Sequence, residues 1–232
     1  MKHVTLTLML AASASIISMA AASPEEQPVH IARAALPVKF DNVVETIMID
    51  NQRYEVPEPW AGNRLFPTTR NLDELRPIPP EYAYDGSEIY ILAEALEPFV
   101  EMAARAHQDG VELLAESAYR SVHYQARIFK KRMKEGYRYE DIVRYVAPPG
   151  YSQHMLGTAI DFYPSNWEFA ESEQYRWLQE HAGEFGFEET FSRHNRYNIS
   201  WESWHWNYVG KAEPGLTAGI GIDIEEEIER IE

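Results

Sequence analysis

The chain has 232 residues, of which 45% are hydrophobic and 25% charged, and its 21 basic and 37 acidic side chains give a formal net charge of −16. This length is enough for one full hydrophobic core with a small appendage, and the absence of cysteine excludes disulfides, thiolate metal ligands and a cysteine nucleophile. The negative charge argues against nucleic acid and anionic lipid as partners, since both bind basic surfaces.

The N-terminus is typical of an export signal. Lys2 supplies the positive start, an apolar run diluted by Ser and Thr extends from Val4 to Ile17, and three alanines ending at residue 22 form a small-residue cleavage site. The run is too short and too rich in Ser and Ala for a good membrane span, although an uncleaved anchor is the alternative. We therefore predict a signal peptide over residues 1–22 and an exported protein, periplasmic or in the cell envelope, without stable membrane insertion after cleavage.

Residues 23–86 are predicted to form a linker and hairpin extension. Residues 23–40 contain Pro and Ala without a clear period, as linkers do. The stretch E-T-I-M-I-D-N-Q-R-Y-E-V (45–56) has two strand-like runs around Asp50-Asn51, which predicts a hairpin. Residues 57–86 are rich in Pro and Asn and are expected to cross a surface as irregular chain.

Two helices are predicted in the middle of the chain. Residues 87–108 have apolar side chains at helical spacing, and Pro98 must either kink this helix or start a second one. Residues 111–121 are predicted to form a buried strand that runs into a loop. The second helix, 122–135, carries five basic residues, which most simply form a solvated face.

The rest of the chain completes an α+β pattern. The predicted elements are a strand at 158–162, a helix at 168–183, two strands at 185–191 and 203–209, and an acidic tail at 213–232. Because strands and helices mix without a regular βαβ rhythm, we expect a small antiparallel sheet flanked by helices.

Two side chains that could bind a metal lie in the largely apolar segment Y-S-Q-H-M-L-G-T-A-I-D-F (151–162). His154 and Asp161 are seven residues apart, and they are either two metal ligands or a loop histidine followed by an ordinary strand-end carboxylate. A catalytic zinc usually takes three protein ligands and keeps one position open for water. A third ligand is therefore expected, and His205 is the best candidate because it lies in the aromatic segment W-E-S-W-H-W-N-Y-V-G (201–210).

The same segment supplies a candidate base. On a regular strand Glu202 and His205 would point to opposite faces, but a turn at Ser203 could bring both into one cleft. A core histidine bonded to the backbone, with Glu202 at the surface, is the equally weighted alternative. If the segments 151–162 and 201–210 lie together in the fold, His154, Asp161 and His205 hold one Zn²⁺ per chain, and Glu202 is the general base.

A second constellation lies in S-A-Y-R-S-V-H-Y-Q (117–125). It places Arg120 at a strand end. The planar guanidinium group of an arginine suits a carboxylate or a tetrahedral oxyanion. Ser121 and Gln125 offer neutral hydrogen bonds around it. A surface ion pair is the alternative for Arg120, and His123 is expected to face solvent or pack on a neighbouring ring.

These segments resemble a known family. S-Q-H-M-L-G-T-A-I-D is similar to the S-x-H-x-x-G-x-A-x-D signature of the LAS metallopeptidases, the group that contains lysostaphin, D-Ala-D-Ala carboxypeptidases and the Sonic hedgehog signalling domain. E-S-W-H-W-N-Y-V-G resembles the E-P-W-H-W-R-Y-V-G segment of VanY-type D-alanyl-D-alanine carboxypeptidases, with Ser for Pro and Asn for Arg. S-A-Y-R-S-V-H-Y-Q and E-H-A-G-E-F-G-F match two further elements, in order, over residues 87–212.

The resemblance implies a zinc peptidase domain over 87–212 with a small antiparallel sheet flanked by helices. The implied roles are zinc ligation by His154, Asp161 and His205, base catalysis by Glu202, oxyanion stabilisation by Arg120, and substrate contacts from Ser121, Gln125 and Ser152. The expected reaction is removal of the terminal D-Ala from peptidoglycan stem peptides.

Three other hypotheses stay open. An L,D-carboxypeptidase or a peptidoglycan endopeptidase would use the same chemistry, and a metal-containing binding module would not hydrolyse at all. The resemblance does not cover residues 23–86, which could bind a wall polymer or another protein and direct the catalytic domain. It also does not indicate the oligomeric state.

Overall fold

The computed structural model describes residues 44–66 and 70–210. The predicted signal peptide (1–22), the linker (23–40) and the acidic tail (213–232) therefore lie outside the described residues. Within the described part of the chain, none of the helices has the length and apolar character needed to span a membrane.

The described residues form short strands, three α-helices of nine or more residues, a single helical turn and several 3-10 turns. The strands are β1 (Thr46–Ile49), β2 (Gln52–Glu55), β3 (Leu75–Pro77), β4 (Tyr90–Leu92), β5 (Ala115–Ser117), β6 (Ala159–Phe162), β7 (Phe187–Glu188) and β8 (His205–Tyr208). The helices are α1 (Ala93–Gln108), α2 (Val122–Lys134), the single turn α3 (Tyr139–Ile142) and α4 (Glu173–His181).

The central sheet has four antiparallel strands in the order β5-β6-β8-β7. On β6 and β8, Ile160 pairs with Trp206, and both belong to the main hydrophobic core. Because side chains alternate along a strand, the neighbouring pair Asp161 and His205 points to the opposite face. This small antiparallel sheet confirms the predicted α+β fold, and its register places two of the candidate ligands side by side.

Helices α1 and α4 contribute to the main core together with the sheet. Phe99 of α1 and Phe162 of β6 are fully buried with ring centroids 6.3 Å apart, and each such ring contributes about 2 kcal/mol by leaving water. Pro98 lies inside one uninterrupted α1, so it does not start a second helix. The predicted start at residue 87 was wrong, because Tyr90–Leu92 pair with β3 as strand β4 before the helix begins.

A second core forms where the N-terminal extension packs on α2 and α3. Strands β1 and β2 form the predicted hairpin, and Asp50 and Asn51 adopt the positive φ values of 52° and 65° that its two-residue turn needs. Ile47 and Ile49 of the hairpin join Phe129 of α2 in this core. The extension therefore shares a hydrophobic core with the predicted catalytic domain, while the boundary at residues 86 and 87 stays a prediction.

Several element bounds differ from the predictions. The strand predicted over 111–121 is reduced to the three residues of β5, and the helix predicted over 168–183 is divided into a 3-10 turn (Trp167–Glu171), α4 and a second 3-10 turn. Helix α2 matches its prediction, and its basic residues are exposed or half-buried, as a solvated face should be.

Candidate metal centre

Three candidate ligands converge from separate segments of the chain. His154 lies on the 3-10 turn Gln153–Leu156, Asp161 on β6, and His205 at the start of β8. The Asp161 Oδ1 atom lies 2.9 Å from Nδ1 of His205, and its Oδ2 atom lies 3.0 Å from Nε2 of His154. All three side chains are buried, and their ligand atoms lie within 4.8 Å of one another. The convergence expected from the sequence is confirmed.

The protonation of the two imidazoles favours a cation between them. The carbonyl of Ala118 can only accept a hydrogen bond, so His154 donates from Nδ1 at 2.6 Å and turns the Nε2 lone pair towards Asp161. His205 has Gln153 Oε1 at 2.9 Å from Nε2 and Asp161 Oδ1 at 2.9 Å from Nδ1, so that in the tautomer protonated at Nε2 the Nδ1 lone pair faces the carboxylate. Burial, followed by the charge of Arg120, lowers the pKa of His154 to about 4, which keeps this ring neutral at pH 7.

The resulting donor set fits a divalent metal. With His154 protonated at Nδ1 and His205 at Nε2, two imidazole lone pairs and a carboxylate point at one another, which is unfavourable unless a positive charge lies between them. The Nε2 atom of His154 is buried and has no hydrogen-bond partner among the described residues. Two histidines and one carboxylate are a ligand set typical of catalytic zinc, and the outer bonds from Ala118 and Gln153 orient the rings as the second layer of a metal site does.

Arg120 lies against the same carboxylate. Its Nη2 donates to Asp161 Oδ2 at 3.1 Å, and its backbone N–H donates to the carbonyl of His154 at 3.1 Å. Burial raises the pKa of Asp161, but the neighbouring His154, His205 and Arg120 outweigh it and lower that pKa well below its usual range. The ion pair considered from sequence exists, yet it lies inside the candidate site, and the buried Nε of Arg120 has no partner in the described part of the chain.

A backbone turn links Glu202 to the ligand His205. The backbone N–H of His205 donates to the carbonyl of Glu202 at 3.0 Å, which closes a turn through Ser203 and confirms the geometry expected there. Burial raises the pKa of Glu202 to about 7; the charges of His205 and Arg120 oppose the shift, and that of Asp161 adds to it. These influences place Glu202 within electrostatic reach of two of the ligands, Asp161 and His205, and of Arg120, and a pKa near 7 suits a general base at neutral pH.

The raised pKa of Glu202 predicts a pH-dependent stability of the metal-free protein. This group titrates near 4.5 when unfolded and near 7 when folded, so between these values the folded chain retains a proton that the unfolded chain has released. Its contribution to the free energy of unfolding is therefore full below pH 4.5 and is lost as the pH rises through 7. Glu202→Gln removes this titration, and we expect it to raise the free energy of unfolding at pH 8 by up to about 3 kcal/mol.

Urea denaturation with a chelator present, at pH 5 and pH 8, measures this effect. The stabilisation of the Glu202→Gln variant over the parent should be much larger at pH 8 than at pH 5. Glu112→Gln, at an exposed position, is the matched control and should show no such difference. An equal effect of Glu202→Gln at both pH values would contradict the assignment of a raised pKa.

The three residues predicted to contact the substrate lie within a few positions of Arg120 or His154 in the sequence. The Nε2 of Gln125 donates to the carbonyl of Ala147 at 2.8 Å, and its buried Oε1 has no partner among the described residues. The Ser121 hydroxyl caps α2 by accepting from the Tyr124 N–H at 3.1 Å. Ser152 is buried and directly precedes the turn that carries His154. Their role towards a substrate stays a prediction, whereas His123 is exposed, as expected.

Two supporting residues were missed in the sequence. Gln153 lies between Ser152 and His154 in the motif, so its position could have indicated a role, but its bond to His205 depends on the fold. Phe191 stacks on the ring of His205 with centroids 4.9 Å apart, and its carbonyl accepts from the N–H of Glu202 at 3.0 Å. No sequence pattern links Phe191 to either residue.

Comparisons with known proteins point to one family. Residues 88–211, just over half of the chain, match the family model described as VanY: D-alanyl-D-alanine carboxypeptidase. A D-alanyl-D-alanine carboxypeptidase of Enterococcus faecalis is 30% identical over 151 residues, which are 58% of this chain and 55% of that protein. The chain thus spans about half the length of the curated relatives it matches.

A solved structure shows the same fold, and a second is similar in sequence. The structure of the LdcB LD-carboxypeptidase is 24% identical, with a TM-score of 0.57 over 82% of this chain and 95% of that one. A mutant of the vancomycin resistance D,D-pentapeptidase VanY in complex with Zn(II) is 29% identical, with a TM-score of 0.45 over 58% of this chain and 84% of that one.

Proposed function

The chain belongs to the VanY family of D-alanyl-D-alanine carboxypeptidases, and from this premise we propose that it is a zinc-dependent carboxypeptidase that removes the terminal D-Ala of peptidoglycan stem peptides. The observation that carries this proposal is the buried cluster of His154, Asp161 and His205 beside a glutamate whose pKa is raised to about 7. Such a substrate lies outside the cytoplasm, which agrees with the export predicted from residues 1–22.

His154 Nε2, a carboxylate oxygen of Asp161 and His205 Nδ1 would hold the zinc. Three protein ligands leave a position open, as catalytic sites do and closed structural sites do not. When bound there, Zn²⁺ supplies Lewis-acid chemistry that polarises a carbonyl and makes a water molecule easier to deprotonate at neutral pH. The Ala118 bond leaves the Nε2 lone pair of His154 available for this purpose, and a bond donated by His205 Nε2 to Gln153 leaves that of His205 Nδ1 available.

Glu202 would move the proton. Its carboxylate takes a proton from the attacking water and then gives it to the departing amine of the terminal residue. Because burial raises the pKa of Glu202 to about 7, the group can both accept and release a proton near neutral pH.

Arg120 would stabilise the negative charge that develops on the scissile carbonyl oxygen. Its Nη2 is already fixed by Asp161, and its Nε, which has no partner among the described residues, is a further donor. A fixed guanidinium in a water-poor site stabilises a developing oxyanion more than water does. Gln125, Ser121 and Ser152 would orient the terminal residues of the peptide through neutral hydrogen bonds.

Product identification on a defined pentapeptide ending in D-Ala-D-Ala tests the proposal. We expect the purified protein to release free D-Ala, a chelator to stop the release, and added zinc to restore it. Unchanged peptide under all metal conditions would refute the proposal. Internal cleavage would favour an endopeptidase, and release from the tetrapeptide alone would favour an L,D-carboxypeptidase.

A binding module without catalysis is the alternative of another class. Such a protein needs the metal cluster but has no use for a base or an oxyanion-stabilising cation. The presence of both Glu202 and Arg120 beside the cluster supports hydrolysis instead.

A further inference from the structure

Residues outside the matched family region contact the segment that carries His154 on both of its sides. The match begins at residue 88, whereas the contacts described below, apart from one with Leu92, come from residues 45–66 and 70–75. The segment Gly150–Gly157, which includes Ser152 and His154, is called the ligand turn from here on.

Arg70 binds the C-terminal side of the ligand turn. Its Nε donates to the carbonyl of Leu156 at 2.9 Å, and Leu156 is the last residue of the 3-10 turn, where helical carbonyls lack partners. The bond is charge-assisted. Glu74 fixes the guanidinium by accepting from its Nη1 at 3.0 Å, and it also accepts from the N–H of Asn71 at 3.1 Å.

Strand β3 packs against the residue that follows. Gly157 has a φ of +76°, and a Cβ there would lie 3.3 Å from Cδ2 of Leu75 and 3.3 Å from the backbone nitrogen of Leu92. The turn between His154 and β6 therefore needs a glycine at position 157, because the φ is positive and β3 and β4 leave little room for a side chain.

The N-terminal side is bound by the hairpin and the loop after it. The N–H of Leu65 donates to the carbonyl of Gly150 at 3.0 Å. The phenol of Tyr151 donates to the carboxylate of Glu45, which also accepts from the N–H of Gly62 at 3.1 Å. The guanidinium of Arg64 lies 5.6 Å from the centre of the Tyr151 ring.

We propose that residues 45–66 and 70–75 position the ligand turn and thereby set the metal affinity of the site. Arg70 is the main positioning residue, because it binds the carbonyl two residues after His154, and the contact between Glu45 and Tyr151 fixes the other side. The inference rests on metal binding at the proposed centre and not on the peptide that is cleaved. It gives the extension a role inside the active site, in place of the binding of a wall polymer considered from the sequence.

The test compares two arginines of the extension. Arg70→Ala removes the bond to Leu156, whereas Arg76→Ala removes an arginine whose guanidinium donates, among the described residues, to the carbonyls of Asp73 and Leu75. The zinc Kd of each metal-free protein is measured by competition with a chromophoric chelator, together with its Tm. We expect Arg70→Ala to raise the zinc Kd by about tenfold, Arg76→Ala to leave it within about twofold of the parent, and Arg70→Lys to restore part of the loss.

Tyr151→Phe tests the other side of the turn and is expected to raise the Kd by a smaller factor; it also keeps the test valid if Arg70→Ala does not fold. A zinc Kd for Arg70→Ala equal to that of Arg76→Ala would overturn the proposal, whatever happens to the Tm, because a merely structural role lowers the Tm without weakening the metal. An unchanged Kd in Tyr151→Phe, if that variant alone is measurable, would also overturn it. Since zinc is titrated without substrate, a failure of the carboxypeptidase assay would leave this result unaffected.

Discussion

Replacing Glu202 with Gln is expected to lower kcat by about 10³-fold while zinc stays bound. Gln has nearly the same shape as Glu, so the turn that links residue 202 to His205 through a 3.0 Å backbone bond can persist. The amide cannot accept a proton from water, and it removes a group whose raised pKa of about 7 suits base catalysis. The loss should therefore fall on the chemical step and not on the metal or on folding.

Steady-state kinetics on a D-Ala-D-Ala-terminated pentapeptide, with zinc content measured on the same samples, test this expectation. Glu112→Gln is the matched control, because it makes the same chemical change at an exposed position. It should keep the kcat of the parent. A kcat of Glu202→Gln within tenfold of the parent would contradict the role of Glu202 as base.

Replacing His205 with Ala is expected to abolish both zinc binding and activity, with a loss in kcat/KM of at least about 10³-fold. The change removes one of three ligands and leaves Asp161 without the imidazole that lies 2.9 Å from its Oδ1. It also removes the ring that stacks on Phe191. Two protein ligands hold zinc far more weakly than three, so added zinc should restore little activity.

His181→Ala is the control for this variant. His181 lies at the end of α4, where its Nδ1 lies 2.9 Å from Glu184, and it is not part of the ligand cluster. The zinc content and the kcat/KM of both variants are measured, and His181→Ala should keep the values of the parent. A His205→Ala protein that binds one zinc with the affinity of the parent would show that the metal lies elsewhere.

Much of the candidate site could be predicted because its residues lie in short motifs. His154 and Asp161 lie seven residues apart in a largely apolar segment, and the aromatic segment around His205 contains a carboxylate and an imidazole. Both features are unusual enough to indicate a metal site with a base. The turn at Ser203 was a stated condition for Glu202 to reach the ligands, and the backbone bond from His205 to Glu202 meets it. Local patterns also predicted the hairpin, because Asp50-Asn51 favours the positive φ of its turn.

What could not be predicted depends on contacts between distant parts of the chain. Periodicity extended α1 back to residue 87, but pairing with β3, which lies about fifteen residues earlier, makes Tyr90–Leu92 a strand. The stacking of Phe191 on His205 and the bond from Arg70 to Leu156 likewise join residues that no local pattern connects. Long-range packing of this kind overrides local propensity.

The position of bound zinc tests the central claim most directly. Crystals of the parent protein with zinc, measured on both sides of the zinc absorption edge, should show one anomalous peak per chain. The peak should lie about 2.1 Å from His154 Nε2, an Asp161 carboxylate oxygen and His205 Nδ1. No peak at these three atoms, or a peak held by other residues, would contradict the account.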